Sequence, residues 1–430
     1  MSWVNGTVRN SWSSGKIEDI IFASKIKLMI QIGLIREEKV PKDTRVALTP
    51  DQCVDIQKEY SVKISAAPSP DRCFGDEDYR SVGVEIREDL SDCDILLGIK
   101  EVPIDRLIEG KTYLFFSHTK KKQPYNQKLM QAMLAKRIRM IDYECLTHSD
   151  GQRILGFGFF AGAVGAHNGL LTYGKKFQKF DLKPAHERLD FDEMVGQYKD
   201  VYLPNIKIAV TGAGKVASGI VEIMDQFDVE YIEGDDFIEG VFDYPVYTHL
   251  KGPTLYVRKD NGTYHREDFH KNPGQYRCLF KRYLPAADIL MNGIYWDDQV
   301  PRLFEKEDIQ SSTYRMNVIA DITCDINGSV PINVGASTIA NPVYGIEKST
   351  YSPVAPFQNT ADIIDVMAVD NLPNELPRDA SRHFGQHLEK FVLRELLQGE
   401  ESDVLARATI CKDGRLTTPY EYLSDYAYPS

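Results

Sequence analysis

A glycine-rich turn between an apolar run and a small-residue helical pattern constrains this sequence most. Residues 206–219 read IKIAVTGAGKVASG, in which Gly212 and Gly214 follow a strand pattern and Gly219 lies in the next helical pattern. Glycines at such a turn let backbone N–H groups approach a pyrophosphate, and the N-terminus of the following helix favours negative charge. The spacing is GxGxxxxG rather than GxGxxG, but the strand before and the helix after are the required context. We therefore predict a dinucleotide-binding βα unit that begins at Ile206.

Acidic residues follow this turn about twenty positions later, as in dinucleotide-binding units. A carboxylate there accepts hydrogen bonds from ribose hydroxyls and repels a 2′-phosphate. Because no arginine follows within the loop, the sequence favours NAD as the cofactor, with NADP left open; a solvated acidic loop is the alternative interpretation. The candidate cofactor-binding residues are Gly212, Gly214, Lys215, Val216, Glu233, Asp235 and Tyr295.

Strand-like and helical patterns alternate along most of the chain, which predicts parallel sheets with helices on both faces. The expected fold is α/β, with two Rossmann-like, doubly wound parallel-sheet domains and a cleft between them. A substrate (catalytic) domain is expected at residues 29–156 plus 377–430. The dinucleotide-binding domain is expected at 157–376, with an insert at about 242–284. Residues 1–28 lack periodicity and are expected to form a disordered extension.

Composition argues against several classes of function. The 430 residues carry a formal net charge of −12, which disfavours non-specific binding to nucleic acid or to an anionic membrane. The seven cysteines are dispersed without a CxxC pair, which indicates reduced thiols in a cytoplasmic compartment and no zinc site. No apolar run approaches the ~18 residues of a membrane span. We therefore expect a cytoplasmic protein that acts on small molecules without a metal, and the oligomeric state stays open.

Lys100 and His118 each stand just past an apolar strand pattern, in ILLGIKEVP and YLFFSHTKK. Ligands of open parallel sheets bind at the carboxyl ends of strands, so both side chains are expected to face one cleft. A partly desolvated lysine and a histidine can both exchange protons near neutral pH. We predict that they form the acid–base pair of an amine–ketone redox reaction, with a purely structural histidine as the alternative.

Three further side chains fit the same cleft. Arg45 and Arg153 suit carboxylates because the guanidinium fork bonds them in two places. Glu144, in IDYECL, would balance the cationic cluster. Each of the three also has an ordinary surface interpretation.

Two groups of motifs resemble a known family. REEKVPKDTRVALTP, LLGIKE, FFSHTKK, IDYE and LGFGFFAGAVGA resemble the alanine dehydrogenase/transhydrogenase N-terminal superfamily. NGIYWDDQVPRLF, IADITCDINGSVP, AVDNLPNELPRDAS and ATICKDGRLTTPYEYL look like the saccharopine dehydrogenase (L-lysine-forming)/lysine–ketoglutarate reductase family within it. The resemblance covers residues 30–425, almost the whole chain.

This resemblance implies an activity and roles for individual residues. It implies hydride transfer with a nicotinamide cofactor that interconverts L-lysine plus 2-oxoglutarate and saccharopine, in biosynthesis or degradation. Lys100 and His118 match the acid–base pair of the family. The implied substrate-binding residues are Arg45, Arg153, Glu144, Lys121 and Asp370.

Other activities stay open at this point. One is another amino-acid or imine dehydrogenase, alanine dehydrogenase-like or opine-type, although DITCDINGSVP and LPRDAS speak against the former. A second is a catalytically silent nucleotide-binding regulator, which would need a damaged proton-transfer pair. Lys100 and His118 are both present, which favours an enzyme.

Overall fold

Eighteen strands make up the sheets of the part of the chain that the structure describes. A computed structural model describes residues 29–399 and 402–428, so the predicted extension at 1–28 lies outside the described residues. The strands are β1 (Gln31–Leu34), β2 (Lys63–Ala66), β3 (Glu85–Ile86), β4 (Ile95–Leu97), β5 (Thr112–Phe115), β6 (Arg139–Asp142), β7 (Lys207–Thr211), β8 (Glu230–Tyr231), β9 (Val246–Leu250), β10 (Tyr256–Arg258), β11 (Tyr276–Cys278), β12 (Ile289–Asn292), β13 (Val318–Asp321), β14 (Val343–Glu347), β15 (Pro353–Val354), β16 (Ile363–Met367), β17 (Thr409–Lys412) and β18 (Arg415–Leu416).

Helices connect most of these strands. The α-helices are α1 (Pro50–Tyr60), α2 (Asp76–Ser81), α3 (Gln127–Ala135), α4 (Gly158–Phe177), α5 (Phe191–Gly196), α6 (Lys215–Gln226), α7 (Gly234–Glu239), α8 (Arg266–Lys271), α9 (Pro377–Leu388), α10 (Arg394–Gln398), α11 (Asp403–Ala408) and α12 (Ser424–Ala427). The start of α1 shows why such helices form where they do. Thr49 and Gln52 exchange hydrogen bonds in a capping box, and Pro50 occupies the first helical position.

The first sheet has the strand order β18-β17-β6-β5-β4-β1-β2-β3. Strands β1 to β6 run parallel, and β17 joins β6 as an antiparallel edge extended by β18. The second sheet has the order β15-β14-β16-β13-β12-β7-β9-β8, with β14 and β15 as its antiparallel edge. These two sheets, parallel in the main and connected by helices, confirm the predicted α/β class.

Strand β9 lies inside the second sheet, between β7 and β8. Its residues fall within segment 242–284, which we predict from the sequence to be an insert. This part of the segment instead belongs to the sheet itself. The remainder carries the two-stranded ribbon of β10 and β11 and helix α8. On this side of β7, the neighbouring strand is therefore β9, the third strand of the second sheet along the chain, and not β8, the second.

Helix α4 packs against the start of α6 with almost no space between the two backbones. A Cβ atom built on Gly162 would lie 1.9 Å from the carbonyl oxygen of Val216, and one on Gly219 would lie 2.0 Å from that of Phe159. Only glycine permits this approach at both positions. The small-residue stretch of the sequence thus fixes the helix that follows the glycine-rich turn.

Contacts between the two sheets come from segments that leave the carboxyl ends of strands. The backbone N–H of Thr44, which follows β1, donates to Asn374 Oδ1 at 2.8 Å, and Asn374 follows β16. Arg45 Nη2 donates to Asn371 Oδ1 at 3.0 Å. The carboxyl ends of the two sheets therefore face each other, as expected for ligand-binding edges of open α/β sheets.

Candidate active site

Lys100, His118 and Glu144 follow three adjacent parallel strands. Lys100 comes after β4, His118 after β5 and Glu144 after β6, and the sheet order places these strands side by side. Because parallel strands end at the same edge of a sheet, the three side chains converge there. The structure thus brings together the residues that the sequence selected from separate motifs.

His118 lies between two carboxylates. Its Nε2 is 4.0 Å from Glu101 Oε1, and its Nδ1 is 3.8 Å from Glu144 Oε2. The ring stacks on Phe116 with a centroid separation of 6.2 Å, and 31% of the side chain is exposed. The residue adopts a left-handed backbone conformation with φ 54°, which turns the chain directly after the strand. Each ring nitrogen therefore faces a carboxylate oxygen, while part of the ring stays open to a ligand.

Glu144 is the buried anion of this group, with 6% of its side chain exposed. Its Oε1 lies 2.5 Å from Arg153 Nη2 and 3.6 Å from Lys120 Nζ. Burial alone would raise the pKa of this carboxyl, but His118 and the cations Arg153, Lys120 and Lys121 outweigh it and lower the pKa to about 2. The residue therefore stays ionised in the site.

Lys100 is largely withdrawn from solvent beside other cations. Burial, and next the positive charge of Arg45, lower the pKa of the Lys100 ammonium, while the charges of Asp43 and Glu101 oppose this. Glu101 is also the carboxylate next to His118, and it accepts a hydrogen bond from Lys39 Nζ at 2.7 Å. Glu101 thus links the two members of the proposed acid–base pair, and a lysine with a lowered pKa is suited to proton transfer.

Glu37 supports the backbone at the end of β4 and was missed by sequence reasoning. Its two carboxyl oxygens accept hydrogen bonds from the N–H groups of Ile99, at 2.6 Å, and Lys100, at 2.9 Å. Burial raises its pKa to about 7, although these two hydrogen bonds act in the opposite direction. The segment REEKVPKD contains it, but nothing local marks it as a partner of residues about sixty positions away.

Arg45 and Arg153, the two predicted carboxylate contacts, differ in how exposed their guanidinium groups are. Arg45 is 3% exposed, forms a bidentate pair with Asp43 and lies over the ring of Phe157 at 4.0 Å. Arg153 is 51% exposed and contacts Glu144 from the open side. The guanidinium open to a ligand is therefore that of Arg153, whereas Arg45 is held between the two sheets.

Lys121 and Asp370, the other predicted substrate contacts, approach the site from opposite sheets. Lys121 is exposed, and its charge acts on Asp325, a residue that follows β13 of the second sheet. Asp370 is exposed after β16, and its charge acts on the thiol of Cys324 next to Asp325. Burial is the largest influence on Asp325 and raises its pKa. Sequence reasoning did not select Asp325, although IADITCDINGSVP was among the diagnostic motifs.

The glycine-rich turn has the geometry of a dinucleotide cradle. Gly212 has φ +114°, and a Cβ there would lie 2.4 Å from the carbonyl oxygen of Gly293, so both conformation and space require glycine. A Cβ on Gly214 would meet no atom within 4 Å, so the backbone at the first turn of α6 opens onto free space. Backbone N–H groups and a helix N-terminus beside such a space fit a pyrophosphate.

The other predicted cofactor residues are spread around this turn. Lys215 is exposed at the first position of α6, Val216 is half-buried against the glycines of α4, and Tyr295 is 77% exposed after β12. Glu233 precedes α7 beyond the outermost strand β8, and Asp235 pairs with Arg282 there. The predicted acids thus lie one strand farther from the turn than a simple βαβ unit would put them.

Neither a metal centre nor a membrane span is found in residues 29–399 and 402–428. No group of three or more His, Cys, Asp or Glu side chains in this part of the chain is arranged to hold a metal ion. Within the same residues, every helix is too short or too polar to cross a bilayer.

Comparisons with known proteins agree with the motifs. The family model for the N-terminal domain of alanine dehydrogenase/PNT matches residues 33–164. Alpha-aminoadipic semialdehyde synthase of Rattus norvegicus, a mitochondrial protein, is 29% identical over an alignment of 440 positions that covers 91% of this chain and 47% of that protein. The chain spans about half the length of such relatives. Saccharopine dehydrogenase [NAD(+), L-lysine-forming] of Emericella nidulans is 26% identical over 82% of this chain and 89% of its own length.

Solved structures give the same architecture at low sequence identity. An L-alanine dehydrogenase superposes with a TM-score of 0.62 at 15% identity, covering 93% of this chain and all of that one. A transhydrogenase from Sinorhizobium meliloti gives 0.54 at 12% identity, covering 90% and 99%. The comparisons confirm the resemblance to the alanine dehydrogenase/transhydrogenase superfamily and to saccharopine dehydrogenases, and these two structures support the fold alone.

Proposed function

We propose that this chain is a nicotinamide-dependent amino-acid oxidoreductase that acts on a CH–NH group and interconverts L-lysine plus 2-oxoglutarate with saccharopine. The observation that carries the proposal is the row of Lys100, His118 and Glu144 at the carboxyl ends of β4, β5 and β6. Relatives named saccharopine dehydrogenase and alpha-aminoadipic semialdehyde synthase support the choice of substrates. A lysine with a lowered pKa beside a histidine held by carboxylates is the machinery that amine–ketone condensation needs.

The two sheets take different roles in this proposal. Residues 29–156 with 377–430 form the substrate domain, which carries Lys100 and His118. Residues 157–376 form the dinucleotide domain, in which the turn at Gly212 and Gly214 holds the pyrophosphate. The free space at Gly214 and the close approach at Gly212 fit that group. When bound, the nicotinamide gives a hydride to the substrate carbon or accepts one from it.

The chain's own residues supply protons and orientation. In the direction of saccharopine, the neutral ε-amine of lysine attacks the keto carbon, and a proton moves from nitrogen to the former keto oxygen. Loss of that oxygen as water leaves an imine, whose nitrogen takes up a proton and whose carbon is the hydride acceptor. Lys100 and His118 exchange the protons of these steps, and Glu101 and Glu144 flank the imidazole and orient it. General acid–base assistance of this kind contributes about 10²–10⁴-fold in rate.

Cations around the pair would orient the keto acid. Arg153 and Lys121 are exposed cations around Glu144, and a 2-oxoglutarate carboxylate on either would fix the keto carbon near the acid–base pair. Arg45 already pairs with Asp43 and is therefore not free to bind a substrate carboxylate. Its part in the proposal is the positive charge that it places beside Lys100. Asp370 follows β16 of the second sheet, and its carboxylate would suit the amino group of lysine.

A coupled assay tests the function. The purified chain is mixed with NADH or NADPH, and loss of absorbance at the nicotinamide band is followed with L-lysine plus 2-oxoglutarate or with pyruvate plus ammonia. We expect oxidation with the first pair and formation of saccharopine. Oxidation with only the second pair would favour an alanine dehydrogenase, and oxidation with another amine alone would favour an opine-type enzyme. Nucleotide binding without turnover on any pair would favour a regulator.

A further inference from the structure

The carboxylate of Asp321, the last residue of β13, is completely buried and has no part in the proton transfers proposed above. Its Oδ1 accepts hydrogen bonds from Asn292 Nδ2 at 2.9 Å and from Thr323 Oγ1 at 2.7 Å. Its Oδ2 accepts one from Asn333 Nδ2 at 2.7 Å. Burial raises the pKa of this carboxyl, although the three donors act in the opposite direction. One buried carboxylate thus joins side chains from three separate positions along the chain.

Two of these donors lie at the ends of the loop that follows β13. We call residues 322–335 the β13 loop; the structure describes all of them, and none belongs to a helix or a strand. Thr323 stands near the start of the loop and Asn333 near its end. Midway, the buried hydroxyl of Ser329 accepts a hydrogen bond from Asn292 Nδ2 at 2.8 Å. The start, middle and end of the loop are therefore attached to Asp321, directly or through Asn292.

Asn292 extends the same network to the glycine-rich turn. It is the last residue of β12, and its Oδ1 accepts a hydrogen bond from Thr211 Oγ1 at 2.7 Å. Thr211 ends β7 and directly precedes Gly212. Thr211, Asn292 and Asp321 are all completely buried, at the ends of three adjacent parallel strands. Because a fully hydrogen-bonded buried network holds one arrangement, the turn and the β13 loop are fixed relative to each other.

The tip of the β13 loop is close to the substrate side of the proposed site. Cys324 and Asn327 have left-handed backbone conformations, with φ 59° and 50°, and Asp325 stands between them. The charge of Lys121, which follows β5 of the first sheet, acts on Asp325. The network at Asp321 therefore sets where this tip lies relative to the proposed acid–base pair.

We propose that Asp321 is a positioning residue of the proposed reaction, which holds the tip of the β13 loop beside Lys121 and in line with the glycine-rich turn. The inference rests on the proposed function, because the keto acid near Lys121 and the dinucleotide on the turn are the two reactants that must meet. Since Asp321 is completely buried, it acts through the loop and not on a reactant. A misplacement of about 1 Å caused by a distant residue can cost about 10²-fold in rate, because the reacting atoms must be in close contact.

The hydrogen bonds of this network allow a substitution and a matching rescue to be designed. Asp321→Asn introduces an NH₂ group that faces the NH₂ group of either Asn333 or Asn292, so that two donors oppose each other. Asn333 cannot rotate to relieve this, because its Oδ1 accepts hydrogen bonds from the N–H of Gly335 and the hydroxyl of Tyr344, each at 2.9 Å. The reciprocal variant Asp321→Asn, Asn333→Asp places a donor opposite an acceptor again and preserves the other contacts of both side chains.

Turnover, dinucleotide affinity and hydrogen exchange of the full chain test the proposal. Turnover of L-lysine plus 2-oxoglutarate is expressed per bound dinucleotide, so that an unfolded fraction does not count. In Asp321→Asn, we expect kcat to fall at least about tenfold, while the affinities for NADH and NADPH stay unchanged. Amide exchange in residues 322–335 should become at least about tenfold faster, because the loop loses its attachment to the sheet.

Three further variants separate positioning from a general effect on the fold. The reciprocal variant should recover both kcat and the protection of the loop from exchange. Thr323→Val removes one donor and keeps the shape of the side chain, so it should lower kcat in the same direction but less. Asp243→Asn, at an exposed residue before β9, is the matched control and should change none of the three measurements.

Three results would overturn the proposal. The first is an unchanged kcat in Asp321→Asn. The second is a reciprocal variant that binds the dinucleotide but keeps the low kcat. The third is a loss of dinucleotide affinity in Asp321→Asn that parallels the loss of kcat, which would make Asp321 a general support of the domain. Absence of turnover by the unmodified chain would instead remove the proposed function, and unchanged hydrogen exchange of the loop in Asp321→Asn would then overturn the inference by itself.

Discussion

The pKa values of two carboxyl groups of the site, Glu37 and Glu144, are shifted in opposite directions for reasons that lie in their immediate neighbours. Glu37 has two backbone N–H donors and a buried surrounding, and its pKa is raised to about 7. Glu144 is also withdrawn from solvent, but it faces three side-chain cations and His118, and its pKa is lowered to about 2. The cations around Glu144 therefore reverse the effect that burial has on Glu37.

The substitution Glu37→Gln tests the raised pKa of Glu37. Because its pKa is higher in the folded chain than the ordinary value of 4.5, its contribution to stability is complete below pH 4.5 and is lost as the pH rises to about 7. The unfolding free energy of the unmodified chain, relative to Glu37→Gln, should therefore fall by about 3 kcal/mol across that interval and stay constant above it. Urea denaturation at several pH values measures this, with exposed Glu109→Gln as the control. A difference that does not vary with pH would contradict the assignment.

Replacing Glu144 should give the opposite dependence. Its pKa is lower in the folded chain, so the carboxylate stabilises the fold above pH 4.5, and this stabilisation is lost as the pH falls towards 2. Because Arg153 is half exposed and solvent screens that pair, we expect Glu144→Gln to lose about 1–3 kcal/mol at pH 6 and much less at pH 3. Unfolding followed by urea at both pH values measures the difference. An equal loss at the two pH values would show that Glu144 acts by packing alone.

At the scale of elements, the close approach of α4 to α6 explains why α4 is rich in glycine and alanine. A methyl group on Gly162 would overlap the carbonyl group of Val216, and no flexible side chain is there to move. Gly162→Ala should therefore separate the two helices and destabilise the chain by about 1–3 kcal/mol or more. Because α6 follows the glycine-rich turn, the affinity for nicotinamide dinucleotides should fall with it.

The matched control for Gly162→Ala is Gly196→Ala. Gly196 ends α5 in a helical conformation, and a Cβ there would meet no atom within 4 Å. The thermal midpoint of the Gly196→Ala variant should stay unchanged or rise slightly, which corresponds to a gain in unfolding free energy of less than about 1 kcal/mol. Calorimetric midpoints and fluorescence titrations of both variants give the comparison. A Gly162→Ala variant as stable as Gly196→Ala would mean that the helices tolerate separation.

The sequence predicts individual elements but not the order of the strands in the second sheet. The pattern IKIAVTGAGKVASG predicts β7, the turn and α6, because each is encoded by neighbouring residues. The position of β9 beside β7 is not encoded locally: VYTHL is a short apolar run like many others, and a βαβ unit usually sets its second strand next to the first. Sheet order depends on pairing between distant strands, so the sequence places Glu233 near the turn, whereas the structure places it beyond β8.

For the whole molecule, the sequence predicts two parallel sheets and the strand ends that carry the chemistry, since both follow from strand–helix alternation. It does not predict which segments join the sheets. The hydrogen bonds of Thr44 to Asn374 and of Arg45 to Asn371 connect residues more than three hundred positions apart. Likewise, Glu37 becomes a partner of Lys100 only once β1 and β4 are neighbours. Such contacts are set by the tertiary fold, and no periodicity reports them.

The most direct test of the central claim is the double variant Lys100→Met, His118→Gln, assayed for turnover and for nucleotide binding in the same preparation. If these two side chains exchange the substrate protons, turnover of lysine plus 2-oxoglutarate should fall by at least about 10²-fold. Dinucleotide affinity should stay within about twofold of the unmodified chain, because the glycine-rich turn lies on the other sheet. Undiminished turnover in the double variant would contradict the account.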